Sequence, residues 1–426
     1  MNWKLRTIGS FVLVISGGAQ TAFAEAEGVA RGGRPPAADP EVRVRPLDEA
    51  EVRGRLIALD NESLSLKDRN GGSRSWRLSD LRSLDVEPAP APIVERPPVV
   101  LLTNDDVLAG NVESADEDTL TLGWTGVDPP QSLTVPLEAV RSFALQQPDD
   151  ELDRIRLRRI WALLKPHADR LISTDNTHID GEFLGLSEGQ VRLKSSLGVF
   201  ASPVDEVTAV IMNSELADAA PLKGAYLLVS LRDGSRVSLT SLQSNAEEGL
   251  SGSTVWGAEL AISLDRVARV QFFGSRVVAL SDMAPADYVF TPYLTQEYPL
   301  VANRNVHGGR LRLRGQLFAA GLGVSSKSEV TYDLEEGNYA NFEAVVGVDD
   351  MTEGQGNVVF AVEVDGQRVF ESAPLDGRSP QKAIGPLDVR SARRLKLIVD
   401  FGQFGNIQDV ADWCDPVLVK PRNERR

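Results

Sequence analysis

Four copies of one short phrase constrain the fold of this chain more than any other sequence feature. Each copy joins an extended apolar residue to an acidic turn and then to a second short apolar segment, as in Arg-Leu-Ser-Asp-Leu-Arg-Ser-Leu. The copies span residues 77–84, 135–143, 202–210 and 262–270. Ahead of each copy, apolar and polar residues alternate around a turn, which is typical of half-buried β-strands. The chain is therefore predicted to contain four small β units, each ending with this phrase.

The spacing of the copies indicates compact units rather than a tight solenoid. It is roughly sixty residues, whereas solenoid repeats run about 20 to 50 residues. The strand pattern resembles small β-barrels of the SH3 or Sm kind, and we expect two units over 46–147 and two more over 171–276. Gly54, Gly110 and Gly181 recur before or within the second strand of a unit. A glycine there permits a bulge or a sharp bend, so a structural role is predicted rather than a ligand-binding one.

A helix is predicted between the second and third units, over residues 148–170. Its first residues are acidic, which suits the positive end of a helix dipole. Leu152, Ile155, Ile160 and Leu163 then follow at roughly helical spacing. A basic amphipathic helix can contact a membrane or a partner, but a connection between domains is the simpler interpretation.

The first residues have the pattern of a secretory signal peptide. A short basic start is followed by an apolar stretch over 8–19 and by Ala-Phe-Ala at 22–24, the small-residue pattern of a cleavage site. We expect residues 1–24 to be removed and residues 25–45, rich in Gly, Ala, Pro and charge, to form a flexible tether. The folded part then starts near Val52. The predicted location is the periplasm, the cell envelope or the exterior, with an uncleaved N-terminal anchor as the alternative.

The composition narrows the class of partner. A formal net charge of -16 and an isoelectric point near 4.8 disfavour nucleic acid and anionic membranes, because both require a basic surface. No membrane insertion is expected after signal cleavage. The sole cysteine, Cys414, cannot form an intramolecular disulfide and is predicted to be a buried, unreactive thiol. Three separated histidines offer no histidine-rich metal centre.

The chain is predicted not to be an enzyme. It contains no Gly-x-Ser-x-Gly elbow, phosphate-binding loop, His-Glu-x-x-His motif or dinucleotide fingerprint. Acidic residues are abundant, but the repeats and the C-terminal part leave no further domain that could position a pair of carboxylates for glycoside hydrolysis. A cryptic hydrolase is accordingly the least favoured function.

The sequence pattern changes over residues 285–420. Residues 358–364 and 394–399 alternate as longer strands, and Asp365-Gly366 is a signal for a tight hairpin between two of them. Strands of this kind with no helical segments between them predict a β-sandwich. The whole chain is therefore expected to be mainly β, with repeat units followed by a sandwich.

This part of the chain resembles the NPCBM family of carbohydrate-binding-type modules, because five motifs occur in the order and spacing of that family. The motifs lie at 311–334, 342–350, 356–372, 395–400 and 409–416. The resemblance implies a galactose-binding-like jelly-roll β-sandwich and a sugar ligand, in an exported bacterial protein. This sequence departs from the family at two positions, because Ser325 and Val410 stand where family members commonly have histidine.

Candidate sugar-binding residues follow from what a sugar requires. A pyranose needs an aromatic face for its C–H side and fixed polar groups for its hydroxyls. Trp413 with Asp409 and Asp412, expected in a loop after a strand, is predicted to supply both, together with Arg304 and Ser325. The alternative is that Asp412 and Trp413 form a structural corner in which the indole fills the sandwich.

A calcium site is a further candidate, since Asp349 and Asp350 follow another strand and carboxylates are the hard oxygen ligands that calcium prefers. No other cofactor is expected. Two functions then remain open. The first is a non-catalytic protein that binds glycans at the cell envelope. The second is a structural or protein-interaction scaffold of the envelope with a degenerate sugar site.

Overall fold

The computed structural model describes residues 41–88, 100–124, 131–146, 150, 157, 164–216, 222, 224–245, 249–335 and 337–422. The predicted signal peptide and most of the predicted tether lie outside these residues. The last five tether residues belong instead to the first strand, which starts at Glu41 rather than near Val52. Alternate residues of that strand are buried, so the folded part begins earlier than the low apolar content of the segment suggested.

Residues 41–86 and 100–144 form two β units, named repeat A and repeat B. Repeat A contains β1 (Glu41–Pro46), β2 (Val52–Leu59), β3 (Ser63–Asp68), β4 (Ser73–Arg77) and β5 (Leu81–Val86). Repeat B contains β6 (Val100–Leu102), β7 (Val107–Leu108), β8 (Gly110–Ala115), β9 (Thr119–Trp124), β10 (Gln131–Pro136) and β11 (Val140–Ala144).

Residues 169–211 and 226–273 form the next two units, repeat C and repeat D. Repeat C contains β12 (Asp169–Ser173), β13 (His178–Ser187), β14 (Gln190–Ser195), β15 (Gly198–Pro203) and β16 (Val207–Ile211). Repeat D contains β17 (Tyr226–Leu231), β18 (Arg236–Leu239), β19 (Gln243–Asn245), β20 (Gly249–Ser253), β21 (Glu259–Ile262) and β22 (Val267–Phe273).

The four repeats share one strand order. The first strand pairs with both the second and the last, while the second, third and fourth form a meander. In repeats B and D the second strand is split in two. The recurring sequence phrase forms a 3-10 turn and the last strand. The turns are Leu78–Asp80, Leu137–Ala139, Val204–Glu206 and Leu264–Arg266. The sequence prediction of several small β units is confirmed.

The repeats pack as one body rather than as separate beads. The last strands pair antiparallel with each other, β5 with β22 and β11 with β16, which joins repeat A to D and B to C. A single hydrophobic cluster includes Val42, Trp124, Phe183 and Phe272, one residue from each repeat. Burial of this shared apolar surface stabilises the repeats jointly.

The predicted structural role of the three recurring glycines is explained by close strand contact. At each one, a Cβ would lie within 2.4 Å of a carbonyl oxygen on the third strand. A bulge follows a few residues later in each second strand. The oxygens belong to Lys67 for Gly54 (2.1 Å), Gly123 for Gly110 (2.4 Å) and Lys194 for Gly181 (2.3 Å).

The helix predicted over 148–170 falls mostly on residues outside the described part of the chain. Its last two residues, Asp169 and Arg170, belong to strand β12 instead. Asp169 accepts hydrogen bonds from the backbone N–H groups of Phe183 (2.7 Å) and Asn213 (2.7 Å). These bonds hold the start of repeat C in the sheet.

Residues 277–419 form a sandwich of two sheets. Its strands are β23 (Val277–Ala279), β24 (Asp287–Phe290), β25 (Val301–Ala302), β26 (Leu311–Leu313), β27 (Gln316–Phe318), β28 (Gly321–Ser325), β29 (Ser328–Asp333), β30 (Asn341–Val348), β31 (Val358–Val364), β32 (Gln367–Glu371), β33 (Lys382–Asp388), β34 (Arg394–Phe401) and β35 (Val410–Val419). Short 3-10 turns occur at Leu280–Asp282 and Asp350–Thr352.

One sheet has the order β25-β28-β35-β30-β33, with β23 also paired to β35, and the other has the order β24-β29-β34-β31-β32. Asp365 and Gly366 both have positive φ, 51° and 81°, as a two-residue type I′ hairpin requires. The sandwich starts at Val277, eight residues before the predicted boundary, because β23 completes the sheet beside β35.

The sandwich is joined to the repeats by a shared core and by polar contacts. Val417 and Val419 of β35 pack with Tyr226 and Phe273 of repeat D. Several arginines and a glutamine bond across the junction. Arg82 Nη2 donates to Asp415 O (3.1 Å), Gln271 Nε2 to Asp415 Oδ1 (3.0 Å), Arg236 Nε to Ala319 O (2.8 Å) and Arg310 Nη2 to Gly234 O (2.6 Å).

Substitution of Gly54 tests the role of the recurring glycines. Gly54→Ala is expected to destabilise the protein by about 1–3 kcal/mol, because the added Cβ forces the second and third strands of repeat A apart. Thermal unfolding followed by circular dichroism measures the change. Gly72→Ala is the matched control, since its Cβ would meet only a side chain, that of Asp68 at 3.1 Å. Equal midpoints for the two variants would contradict this role.

Candidate functional site

Trp413 lies inside the sandwich rather than in a loop. The sequence placed Asp409, Asp412 and Trp413 in one loop, but all of β35 from Val410 onward is a buried strand. Trp413 pairs with Leu322 on one side and Val346 on the other. Its exposed fraction is 0%, and its indole meets Phe360 edge-on, with centroids 5.3 Å apart. In this position the ring cannot stack on a sugar. Its contacts are those of the alternative interpretation, in which the indole fills the sandwich.

Asp412 and Cys414 face the opposite side of β35, because successive side chains of a strand point to opposite faces. There the β26–β27 hairpin covers the strand, and Leu311, Leu313 and Phe318 pack with Cys414. Burial raises the pKa of the Cys414 thiol well above its ordinary value. The predicted buried thiol is thus confirmed by its position.

Asp412 forms a buried carboxyl pair with Asp349. Burial raises the pKa of Asp412 well above its ordinary value of 3.8, and the charge and the hydrogen bond of Asp349 raise it further. Burial beside a second carboxyl group favours the neutral, protonated form of an acid over its charged form. The pKa of Asp412 is therefore coupled to the neighbouring Asp349 carboxyl.

Asp349 and Asp350 hold the same hairpin through backbone hydrogen bonds. Each of their four carboxylate oxygens accepts one backbone N–H. The donors are Met351 (2.9 Å) and Arg312 (3.0 Å) for Asp349, and Arg314 (2.8 Å) and Gly315 (2.6 Å) for Asp350. Among the described residues, no group of three or more His, Cys, Asp or Glu side chains is arranged to hold a metal ion.

Arg304 and Ser325 are also interior residues. Arg304 lies near the junction with the repeats, where its Nη1 donates to Gly308 O at 3.4 Å. Burial lowers its pKa to about 10. Ser325 on β28 is paired with Val410 on β35, and both are buried. The two positions where the family commonly has histidine thus lie side by side within the sheet.

Asp409 fixes the loop between β34 and β35 from inside. It is buried, accepts a hydrogen bond from Ser326 Oγ, and accepts another from the backbone N–H of Asn357 at 2.8 Å. Burial raises its pKa above the ordinary value. The side chain of Asn357 in turn accepts from the backbone N–H of Gln403 at 2.8 Å. Three chain segments are therefore tied together beneath this loop.

The loop carries an exposed aromatic surface that the sequence reasoning missed. We name it the aromatic loop surface and define it by Tyr293, Leu294, Phe404 and Ile407, all of which are exposed. Tyr293 packs edge-on against Phe401 at 5.6 Å. A Cβ on Gly405 would lie 3.1 Å from its ring, so the two loops lie in contact. The apolar residues in the glycine- and asparagine-containing segment 402–408 were the signal available in the sequence.

An ion pair lies on the segments next to this surface, since Asp400 precedes Phe401 and Lys327 O accepts a hydrogen bond from the backbone N–H of Thr291. Lys327 Nζ lies 3.5 Å from Asp400 Oδ2, and both side chains are partly exposed. The exposed fractions of Tyr293 and Phe404 are 58% and 66%, so both side chains are accessible to a ligand. Aromatic faces beside donors and acceptors on a fixed loop are what sugar recognition requires.

The Asp412–Asp349 pair predicts a specific pH dependence. The folded-state pKa of Asp412 lies above its ordinary value of 3.8, so the folded protein retains a proton that the unfolded chain releases. This contribution to stability is complete below about pH 3.8 and is lost as the pH rises through the folded pKa, by up to about 1.4 kcal/mol per pH unit.

Asp412→Asn is expected to remove this loss while keeping a donor to Asp349. The unfolding midpoint of the variant minus that of the wild type should therefore increase as the pH is raised from about 4, near the ordinary pKa of an aspartate, to about 8. Thermal unfolding at a series of pH values measures it, with Asp388→Asn as a control at an exposed carboxylate. A difference that does not change with pH contradicts the protonated pair.

The calcium prediction for Asp349 and Asp350 has a direct test by metal removal. An ion at these carboxylates would have to displace the backbone N–H groups that they already bind. We therefore expect neither a chelator nor added calcium to shift the unfolding midpoint. A higher midpoint with calcium, lost on chelation and absent in Asp350→Asn, would establish the site instead.

Among the described residues, no helix is both long and apolar enough to cross a bilayer.

No curated protein matches the chain. Solved structures similar to it include the CBM51 module of Clostridium perfringens GH95 in complex with methyl-galactose. That module is 25% identical, the match covers 34% of this chain and 99% of the module, and the TM-score is 0.31.

A second similar structure holds CBM51-2, in complex with GlcNAc, and INT domains from Clostridium perfringens ZmpB, at 23% identity over 42% of this chain and 43% of that one, with TM-score 0.31. A third holds the tandem CBM51 modules of Sp3GH98 from Streptococcus pneumoniae, at 12% identity over 81% and 98%, with TM-score 0.31.

The sequence match to a family is more specific. It starts at residue 276, next to the first residue of β23, and ends at 419, the last residue of β35. It confirms the resemblance predicted from the motifs, including the strand that the predicted boundary omitted. The sandwich of this chain, residues 276–419, matches the NPCBM/NEW2 domain and is a carbohydrate-binding-module-like domain.

Proposed function

We propose that this chain is an exported, non-catalytic protein whose sandwich binds glycan at the cell envelope through the aromatic loop surface. The observation that carries the proposal is the pair of exposed rings, Tyr293 and Phe404, on loops that meet at Gly405. The domain family supports a sugar ligand. Solved relatives are described in complex with methyl-galactose and GlcNAc, which makes neutral pyranoses the first ligands to try.

The rings suit the apolar side of a sugar. Binding costs an exposed aromatic side chain little conformational entropy, because it has few rotatable bonds. Binding also removes apolar ring surface from water, which is favourable. Asp409 holds the loop from below through Ser326 and Asn357, so less ordering has to accompany binding. Lys327 and Asp400 beside it offer a donor and an acceptor for hydroxyls. Trp413 and Asp412 contribute by fixing the sheet under these loops, not by contact.

The proposal differs from the sequence prediction in which residues touch the ligand. Of the predicted set, Asp409 becomes a positioning residue, while Arg304, Ser325, Asp412 and Trp413 support the fold. Export rests on the signal-peptide pattern, and the absence of catalysis rests on the absence of a catalytic motif in the sequence.

A glycan array with the full chain tests the proposal. Phe404→Ala and Tyr293→Ala are each expected to weaken binding about tenfold, which corresponds to about 1.4 kcal/mol, because each removes one stacking face. Val369→Ala on β32 is the matched control, since it removes an exposed apolar side chain from the same sandwich. Circular dichroism and unfolding midpoints verify that all three variants stay folded.

A second candidate function is a structural or protein-interaction scaffold of the envelope. The burial of Ser325 and Val410, in place of the family histidines, favours it, because a degenerate site would tolerate such residues. No glycan binding by the full chain would favour the scaffold. Glycan binding that Phe404→Ala and Tyr293→Ala leave unchanged would reject the aromatic loop surface as the sugar site.

A further inference from the structure

The fourth strand of repeat C differs from its counterparts in the other repeats. In β4, β10 and β21 the exposed positions are mainly polar, and the apolar residues, such as Trp76, Leu133 and Leu260, are buried. In β15 the first four residues are all exposed, although two of them are Val199 and Phe200. Their exposed fractions are 63% and 37%. This strand therefore leaves apolar surface in water that the other three repeats cover.

The backbone edge of β15 is also open. Among the described strands, β15 pairs with β14 alone. Ser195 and Gly198 flank the two-residue turn between them, and in such a hairpin the flanking pair is hydrogen-bonded. Pairing then alternates along the strand, so Val199 and Ala201 direct their N–H and C=O groups away from β14. An apolar strand with an unpaired edge is a template for another strand.

The chain already joins its repeats by pairing equivalent strands. Leu84 of β5 lies opposite Val270 of β22, and Phe143 of β11 lies opposite Val210 of β16. In both cases the last strand of one repeat pairs antiparallel with the last strand of another. This arrangement is the local counterpart of an isologous interface, in which one surface meets its own copy.

We propose that β15 is a dimerisation surface, and that its occupant is β15 of a second copy of this chain, paired antiparallel. Centring the pair on Phe200 sets Val199 opposite Ala201 of the second copy, so that the outward N–H and C=O groups of both residues are bonded. Phe200 then meets its own copy in the close, non-hydrogen-bonded position, where side chains pack most tightly. This inference does not depend on glycan binding.

Charge sets the conditions under which the dimer forms. Each copy carries a formal net charge of -16, so association brings two anions together. The nearest charged side chains, Arg192 and Lys194, lie on β14 rather than on the pairing strand, and Lys194 bonds Glu182 at 3.1 Å. Because salt screens the net repulsion, the dimer is expected to tighten as the salt concentration rises.

Sedimentation velocity over a concentration series of the full chain tests the proposal. The wild type is expected to show a monomer–dimer equilibrium that shifts toward dimer with salt. Ala201→Pro removes an N–H group that points away from β14, so no hydrogen bond to β14 is lost. Val199→Lys adds a charge to the interface. Each should raise the dissociation constant at least about tenfold. Ile57→Lys, at a site with an exposed fraction of 53% in repeat A, is the control and should leave it unchanged.

Cross-linking supplies a second readout. Residues in the close antiparallel position have Cα atoms about 4.5 Å apart, which is within disulfide range. Phe200→Cys should therefore form a covalent dimer on mild oxidation, whereas Leu216→Cys, an exposed site elsewhere in the chain, should not. Cys414 is buried and does not compete. A wild type that stays monomeric at every concentration, or a dimer that survives Ala201→Pro and Val199→Lys, overturns the proposal.

Discussion

The central strand β35 is the constraint on which the rest of the sandwich depends. It pairs with β28 and β30 over its length and with β23 near its end, and every one of its residues is buried. A strand covered on both faces has no side that can carry an unpaired charge. Asp412 meets this condition because its raised pKa favours the neutral, protonated form beside Asp349, while Trp413 fills the opposite face. Asp412 and Trp413 therefore contribute to the packing of the sheet.

The same strand couples the sandwich to the repeats. A bulge at Asp415 and Pro416 interrupts the pairing with β30, which is one of the few places in a sheet that accept a proline. Asp415 then reaches Gln271 and Arg269 of repeat D. Beyond the bulge, Val417 and Val419 share a core with Tyr226. A glycan-binding surface at the far loops would therefore be carried on a platform continuous with the repeats.

Three carboxylates position loops of the sandwich. Asp409 ties the loop of the aromatic surface to two neighbours, and Asp349 and Asp350 hold the hairpin that covers Asp412. Asp409, Asp349 and Asp350 each accept two hydrogen bonds from other residues. Contacts with other molecules are proposed at two exposed places, the loop of Phe404 and the edge strand β15.

The sequence by itself determined the features that local geometry dictates. The acidic phrase predicted four equivalent units because a 3-10 turn and a closing strand have one local pattern, and Asp365-Gly366 predicted its hairpin because both residues accept positive φ. The sequence motifs also identified the domain. Only the tertiary structure decided which face of β35 Asp412 and Trp413 occupy, and that Tyr293 meets the loop of Phe404. A strand buried on both sides lacks the alternation that reveals a strand, and contacts between residues more than one hundred positions apart leave no local signal.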